Sequence, residues 1–289
     1  MEDLKITQRT IDLENVFREK NPTLARLIPV FVYAYLRRVI HEDEINDFLF
    51  RNKDYVGLDF VHAIIRDFGA IVKVSGEENV PNEGRYIIAS NHPLGGLDGV
   101  ALMHVVGKVW KDIVFPVNDI LLFLPNLKPL FIPINKHGSN TENMEIIHKT
   151  FDSDKMMLYF PAGLVSRKQK GKIEDLEWKK TFVAKAKQYQ RDVIPVHIDG
   201  NNSNFFYALA NWRKRLGIKT NIEMLFLADE MFNQKNKTIH ITFGKPISWQ
   251  TFDKRNNFKE WAERLKYYVY SMGKGNTEPF DPETDYKQK

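Results

Sequence analysis

The chain has 289 residues, 43% of them hydrophobic, including twenty Phe, eleven Tyr and five Trp, so it can bury a sizeable core and is not a disordered chain. It contains no cysteine, which excludes thiol nucleophiles, thiolate metal sites and disulfides. A balance of 42 Lys and Arg against 37 Asp and Glu leaves a net charge of +5, a surface suited to lipid headgroups, phosphorylated cosubstrates or nucleic acid.

The segment from Met1 to Phe17 carries acids where an export signal needs a basic stretch followed by an apolar run, and the expectation is an unexported protein. No stretch reaches the roughly 18 to 20 uninterrupted apolar residues of a spanning helix. Leu27 to Leu36 is stopped by Arg37 and Arg38, and Ile113 to Ile134 is broken by Asn118, Asp119, Asn126 and Lys128. Pro22 suits a helix entry. From there to about Asn46, Leu24, Leu27, Ile28, Phe31, Tyr35 and Val39 recur at three and four, which predicts one helical face. A second helix is predicted over Tyr55 to Phe68, ending near Gly69, so residues 1–69 read as an N-terminal helical layer packed on the domain that follows.

Beyond Gly69 short β-branched runs alternate with helical patterns, the sign of an α/β sheet. Strands are predicted at Ile71 to Val74, Tyr86 to Ala89, Ile113 to Val117, Leu130 to Ile134, Met156 to Phe160, Val193 to Ile198 and Ile239 to Phe243. Helices fit at about Gly99 to Val109, Thr141 to Phe151, Leu176 to Gln188, Asn204 to Leu216 and Trp249 to Ser271. No internal repeat or low-complexity linker divides residues 70–273, and residues 274–289 lack an apolar face and read as a loose tail.

The most informative stretch is Ser90-Asn91-His92-Pro93-Leu94-Gly95-Gly96-Leu97-Asp98-Gly99, lying between a predicted strand and a predicted helix. Its glycines and proline imply a tight backbone that a ligand can approach closely. If His92 and Asp98 meet, the carboxylate accepts the Nδ1 proton and leaves Nε2 as a base. Spacing alone weighs that pair equally against a structural reading, with His92 a turn residue and Asp98 a helix cap. Other histidines carry less: Ile45 stands where a His-Glu-x-x-His zinc signature would place its second histidine after His41-Glu42, and His104 and His197 read as core or surface residues.

The stretch resembles the first motif of the glycerolipid acyltransferases, the lysophosphatidic acid acyltransferase family, in which Asn-His is followed by four residues and then Asp. Here five residues separate His92 from Asp98, the additional one lying in a Gly-Gly turn able to absorb it, a departure similar to the hemolysin-like branch of the family. Phe131-Ile132-Pro133-Ile134-Asn135-Lys136 resembles the second motif, with Lys136 where the family more often has Arg. Phe160-Pro161-Ala162-Gly163-Leu164-Val165-Ser166-Arg167 resembles the third, Phe-Pro-Glu-Gly-Thr-Arg-Ser, with Ala162 in place of Glu and the basic residue displaced to Arg167. Val193 to Ile198 resembles the fourth, and the likeness runs from Val72 to Ile247. Residues 21 to 49 resemble the helical leader of hemolysin-like acyltransferases of ornithine or glycine lipid synthesis.

That resemblance implies a single mixed sheet flanked by helices and an O-acyltransferase using an acyl carrier protein or coenzyme A thioester as co-substrate, with no bound cofactor or metal. It implies His92 as base with Asp98 orienting it, the Gly95-Gly96 turn at the oxyanion, and Lys136, Gly163, Ser166, Arg167 and Lys168 at the acceptor or its phosphate. Phe160, Pro161, Pro195 and Val196 would line the acyl site. Because a methyl group at Ala162 can neither orient a glycerol hydroxyl nor balance an Arg, the expected acceptor is a lyso-amino-acid lipid esterified at the 3-hydroxyl of its amide-linked chain. Lysophosphatidic acid, thioester hydrolysis and a non-catalytic lipid- or thioester-binding protein stay open as alternatives.

Between Leu164 and Arg191 nine Lys or Arg face three acids, an excess of six that exceeds the charge of the whole chain. Such a cluster suits coenzyme A phosphates, an acidic carrier protein or anionic lipid, or is a solvated helix face. Nucleic acid is not expected, since no aromatic-basic interleave or DNA-binding motif accompanies it. The Phe31–Tyr35 face and a C-terminal helix with Trp261, Leu265 and Tyr268 are candidate membrane contacts, which would make the protein peripheral at the cytoplasmic face of the inner membrane.

Overall fold

The computed structural model describes residues 10–20, 22–117, 124–133 and 141–287. Five helices come first: α1 (Leu13–Lys20), α2 (Pro22–Leu27), α3 (Val30–Val39), α4 (Glu42–Arg51) and α5 (Leu58–Asp67). The single helical face read from Pro22 to Asn46 is therefore interrupted twice. Pro29 lacks the N–H and disfavours helical geometry in its predecessor, and His41 takes a left-handed conformation with φ of 53°.

Seven strands form one mixed sheet in the order β1-β9-β8-β2-β5-β3-β4. They are β1 (Ile71–Ser75), β2 (Tyr86–Ser90), β3 (Ile113–Val117), β4 (Phe131–Pro133), β5 (Met156–Tyr159), β8 (Asp192–Ile198) and β9 (Thr238–Phe243). All neighbours are parallel except β8 and β9, so β1 and β9 run against the other five. The intervening β6 (Arg167–Gln169) and β7 (Lys172–Glu174) make a separate antiparallel hairpin that the sequence patterns did not reveal. Three residues a side are too few to show an alternation.

Helices α6 (Leu97–Val109), α7 (Thr141–Asp152), α8 (Thr181–Tyr189), α9 (Asn204–Arg215), α10 (Leu227–Phe232) and α11 (Phe258–Met272) complete the fold. Two apolar layers cover the sheet. One joins Leu49, Phe60, Val61 and Ile64 of α4 and α5 to α6 and to Ile88, Leu158, Ile194 and Ile241 of the strands, so the N-terminal helices share the core of the sheet. The other packs Phe182 and Val183 of α8 and Trp261, Leu265 and Val269 of α11 on Ile87, Met157 and Val193.

Two expectations are corrected here. Trp261, Leu265 and Tyr268 are buried in the core and cannot contact a membrane, whereas Val30 (84% exposed), Phe31 (74%) and Tyr35 of α3 do face outward. The segment after Lys274 is not loose over its described residues: Tyr286 is buried beside Tyr268 and Phe280, and Arg264 donates to the carbonyls of Pro282 and Thr284. Its few aromatics anchor it even though it has no helical or strand periodicity.

Candidate functional site

The site grows from the C-terminal end of β2, where the chain turns through residues 91–96 into α6. Asn91 is fully buried and clasps the end of β8, its Nδ2 donating to Ile198 O (2.9 Å) and its Oδ1 accepting Ile198 N–H (2.7 Å). His92 Nδ1 then lies 2.9 Å from Asp98 Oδ2. The fifth intervening residue is absorbed because Gly95 adopts φ of +90°, a conformation that side chains rarely take, and a Cβ there would come within 2.9 Å of Leu227.

Asp98 has no accessible surface, and its ionised form is held by donors alone. Besides the His92 ring, Oδ2 accepts the N–H groups of Leu94 (2.8 Å) and Gly95 (3.2 Å), and Oδ1 accepts that of Gly99 (2.8 Å). Because the carboxylate receives a proton donor from the ring, Nδ1 carries the hydrogen and Nε2 is the basic nitrogen. The Gly95 N–H is engaged by Asp98, which removes it from the oxyanion role anticipated from the sequence; Gly96 is the remaining glycine of that pair. The imidazole stacks on Phe160, with ring centres 4.1 Å apart, and Phe160 in turn meets Phe115 edge-on.

A second buried carboxylate grips the same histidine from its main-chain side. Asp175, directly after β7, accepts His92 N–H at 3.1 Å and the Ser166 hydroxyl at 2.6 Å through Oδ1, and the Trp178 indole N–H at 2.8 Å through Oδ2. Ser166 also donates its N–H to His92 O at 2.8 Å, and its hydroxyl oxygen lies 3.2 Å from the same carbonyl. Burial pushes the Asp175 carboxyl above the usual range, against the pull of these hydrogen bonds. The Asp175 N–H and C=O are held by the Tyr270 hydroxyl and Lys266 Nζ. Sequence reasoning missed Asp175, whose only signal is its place three residues before a tryptophan.

These contacts reassign part of the third motif. Ser166 is 1% exposed and turned onto His92 and Asp175, so it braces the histidine. Arg167 is buried, pairs with Glu223 at 2.9 Å, donates to Val165 O and lies over the Phe206 ring, so its charge is not offered to a phosphate. Burial lowers its pKa, with Glu223 acting in the opposite sense. Gly163 sits in the tight turn after β5 with φ of +63°, near Lys179 Nζ, and Ala162 is buried in the apolar layer under α8 and α11, where burying the carboxylate of a Glu would be costly. Lys168 is half-buried in the β6–β7 hairpin.

The acyltransferase family pattern matches residues 15–275. The chain belongs to the acyltransferase family. It is 52% identical over 264 residues to a lyso-glycine lipid O-acyltransferase of Bacteroides thetaiotaomicron, covering 91% of this chain and 97% of that relative. A lyso-glycine lipid O-acyltransferase of Phocaeicola vulgatus is 48% identical, covering 91% of this chain and 95% of the relative. The solved 1-acyl-sn-glycerophosphate acyltransferase of Thermotoga maritima is 16% identical with a TM-score of 0.45, covering 84% of this chain and 93% of that one.

The remaining expected residues of this acyltransferase are placed as follows. Phe160 and the buried Pro161 follow β5, beside His92. Pro195 and Val196 are buried in central strand β8, opposite Ala89 and Ser90 of β2, so both flank the base of the His92 turn. Lys136 lies outside the described residues. The basic cluster of residues 164 to 191 is weaker as an anion site than its charge count suggests. Arg191, fully buried, donates to the carbonyls of Phe151 (2.8 Å) and Lys155 (2.8 Å), burial holds its pKa down at about 10, and with Arg167 it is removed from the surface.

A cleft of about 450 Å³ of mixed lining adjoins the main-chain side of the turn, with Asn91, Ser166, Ile173, His197, Ile198 and Tyr270 among its walls. Away from the turn, His104 meets His62 with 2.8 Å between their Nδ1 atoms, and burial lowers the His104 pKa to about 4. His41 stacks on Phe232 of α10 and lies 3.1 Å from Asp229. Among the described residues no group of three or more His, Cys, Asp and Glu is arranged to hold a metal ion, and no helix is long and apolar enough to cross a membrane.

Proposed function

We propose that this acyltransferase moves a fatty acyl group from an acyl carrier protein or coenzyme A thioester to the 3-hydroxyl of a lyso-glycine lipid. The observation carrying this reading is the 52% and 48% identity to two lyso-glycine lipid O-acyltransferases across nine tenths of the chain, joined to the 2.9 Å His92–Asp98 contact. His92 Nε2 takes the acceptor hydroxyl proton as that oxygen attacks the thioester carbonyl carbon. The C–S bond then breaks, the ester C–O bond remains, and the proton passes from His92 to the departing thiolate. Asp98 fixes the tautomer and stabilises the imidazolium formed between the two steps. The Gly96 N–H and the amino end of α6 supply positive potential for the oxyanion.

The acceptor is a membrane lipid, and the outward face of Leu27, Val30, Phe31 and Tyr35, flanked by exposed Arg26 and Arg38, lies on the bilayer surface. Lipid mass spectrometry on cells expressing the wild type and His92→Ala tests the reaction. Diacylated glycine lipid should accumulate only with the wild type; accumulation of phosphatidic acid instead would transfer the assignment to lysophosphatidic acid.

A further inference from the structure

Helix α9 turns apolar residues in both directions. Phe206, Tyr207 and Ala210 face inward, Phe206 and Tyr207 packing with Val165 of the third motif. The outward side places Phe205, Ala208, Trp212 and Leu216 at spacings of three and four, one stripe about 16 Å long at the helical rise. Phe205 is 55%, Trp212 66% and Leu216 63% exposed, and Ile218 and Leu225 beyond the helix are exposed as well. The water-facing side of an ordinary surface helix is polar.

Charge around the stripe has one sign. Lys214, Arg215 and Lys219 are exposed, while the only acid from Asn204 to Phe226 is Glu223, buried between Arg167 (2.9 Å) and Arg213 (2.8 Å). A shallow recess bounded by Ala208, Asn211, Trp212, Lys214 and Arg215 runs along this side. An exposed Trp and aliphatic side chains edged by cations are what the acyl–headgroup boundary of an anionic bilayer accommodates: the rings enter the apolar zone and the long basic side chains reach back to the phosphates. An acidic protein would satisfy the cations but leave the stripe against charged groups.

We infer that the outer face of α9 is a lipid-contacting surface of its own, separate from the α3 face, taking the anionic headgroups and upper acyl chains of the bilayer. Its position links it to the chemistry. Phe205 meets Phe226 edge-on just before α10, and Leu227 and Met231 of α10 border Gly95 and Gly96. Asp229 of α10 reaches His41, the residue that precedes α4. The α9 face is thus joined through α10 to the His92 turn. The inference shares with the proposed reaction only its premise of a membrane-borne substrate.

The test is flotation of the full chain with vesicles of phosphatidylcholine alone and of phosphatidylcholine with phosphatidylglycerol. Each surface cation contributes about fivefold to partitioning onto anionic lipid. Lys214→Glu/Arg215→Glu/Lys219→Glu should therefore weaken binding to anionic vesicles by about a hundredfold, and Trp212→Ser/Leu216→Ser should weaken it as well. Melting temperature and transfer to a detergent-dispersed acceptor should not change. Brominated-chain lipid should quench wild-type tryptophan fluorescence, and Trp212→Phe should remove part of that quenching. Wild-type vesicle binding by both variant sets, or quenching indifferent to Trp212→Phe, overturns the inference. So does charge-sensitive binding of an acidic carrier protein with vesicle binding intact, or self-association abolished by Trp212→Ser. Failure of the wild type to acylate lyso-glycine lipid with α9-dependent flotation intact would refute the reaction and support the surface.

Discussion

Two neighbouring parallel strands, β2 and β5, each lead out of the sheet toward a buried aspartate, and the two aspartates hold opposite sides of one histidine. Asp98 follows β2 at close range and binds the His92 imidazole. Asp175 lies beyond the β6–β7 hairpin that follows β5 and binds the His92 main chain, Ser166 and Trp178. Both carboxylates are withdrawn from solvent and surrounded by donors, yet only the first touches the imidazole, the group that moves the proton in the proposed reaction. Burial and hydrogen bonding alone do not distinguish a reacting group from its support; the atom at the other end of the contact does.

The largest effect expected from this contrast is at the ring. His92→Ala should lower transfer by about 10²–10⁴-fold with an unchanged melting temperature, measured as thiol release in the presence of acceptor; retention of the wild-type rate would remove the base from the mechanism. Asp98→Asn places an amide where four donors converge, so the rate should fall by about 10³-fold and, unlike His92→Ala, the melting temperature should fall too.

On the main-chain side the effect should be smaller and differently distributed. Asp175→Asn turns an NH₂ toward Ser166, Trp178 or the His92 N–H, costing about 1–3 kcal/mol of stability, seen as a lower denaturant midpoint. Activity should fall about tenfold through kcat, far less than the ring-side loss. If Asp175→Asn matched His92→Ala in rate and left stability alone, Asp175 would be catalytic and the contrast would collapse. Arg167→Met should cost roughly 2 kcal/mol, less than breaking an isolated buried pair because Arg213 still neutralises Glu223, and acceptor KM should not change. A raised KM would return Arg167 to the acceptor.

The smallest effect lies outside the site. His104 has a folded-state pKa near 4, below its unfolded value of 6.5, so between these values the unfolded chain binds a proton that the folded chain does not. Stability should be flat in this respect above pH 6.5 and fall as pH drops toward 4, by up to about 1.4 kcal/mol per unit. Since the two Nδ1 atoms share one hydrogen, His62 adds in the same direction, its pKa also lowered by burial. His104→Gln should flatten this part of a pH–stability curve; an unaltered slope would assign the acid sensitivity elsewhere.

All seven strands of the sheet were legible as short apolar runs: β2, β5 and β8, covered on both faces, are apolar along their length, while β9 alternates buried and exposed residues. The His92–Asp98 pairing was legible because both residues belong to one short turn. Asp175 was not, since it reaches His92 across 83 positions and through a hairpin too short to show periodicity. The third motif shows the same limit: residue type marks Ser166 and Arg167 as polar, but only packing shows that their polar atoms face His92, Asp175 and Glu223. α3 and α11 make the same point with aromatics. Similar mixtures of rings and basic residues gave one reading, yet α11 is enclosed by the sheet and α8 while α3 keeps Phe31 and Tyr35 in the open.

The sequence by itself determined the α/β class, the order of strands along the chain, the turn in which His92 meets Asp98 and the kinship with acyltransferases, because each depends on neighbours within a few positions or on motif order. Tertiary structure decided which charges stay available. Desolvating a charge is costly unless distant partners meet it, so Arg167 and Arg191 became internal supports, while Lys214, Arg215 and Lys219 stayed exposed on the same side as Trp212.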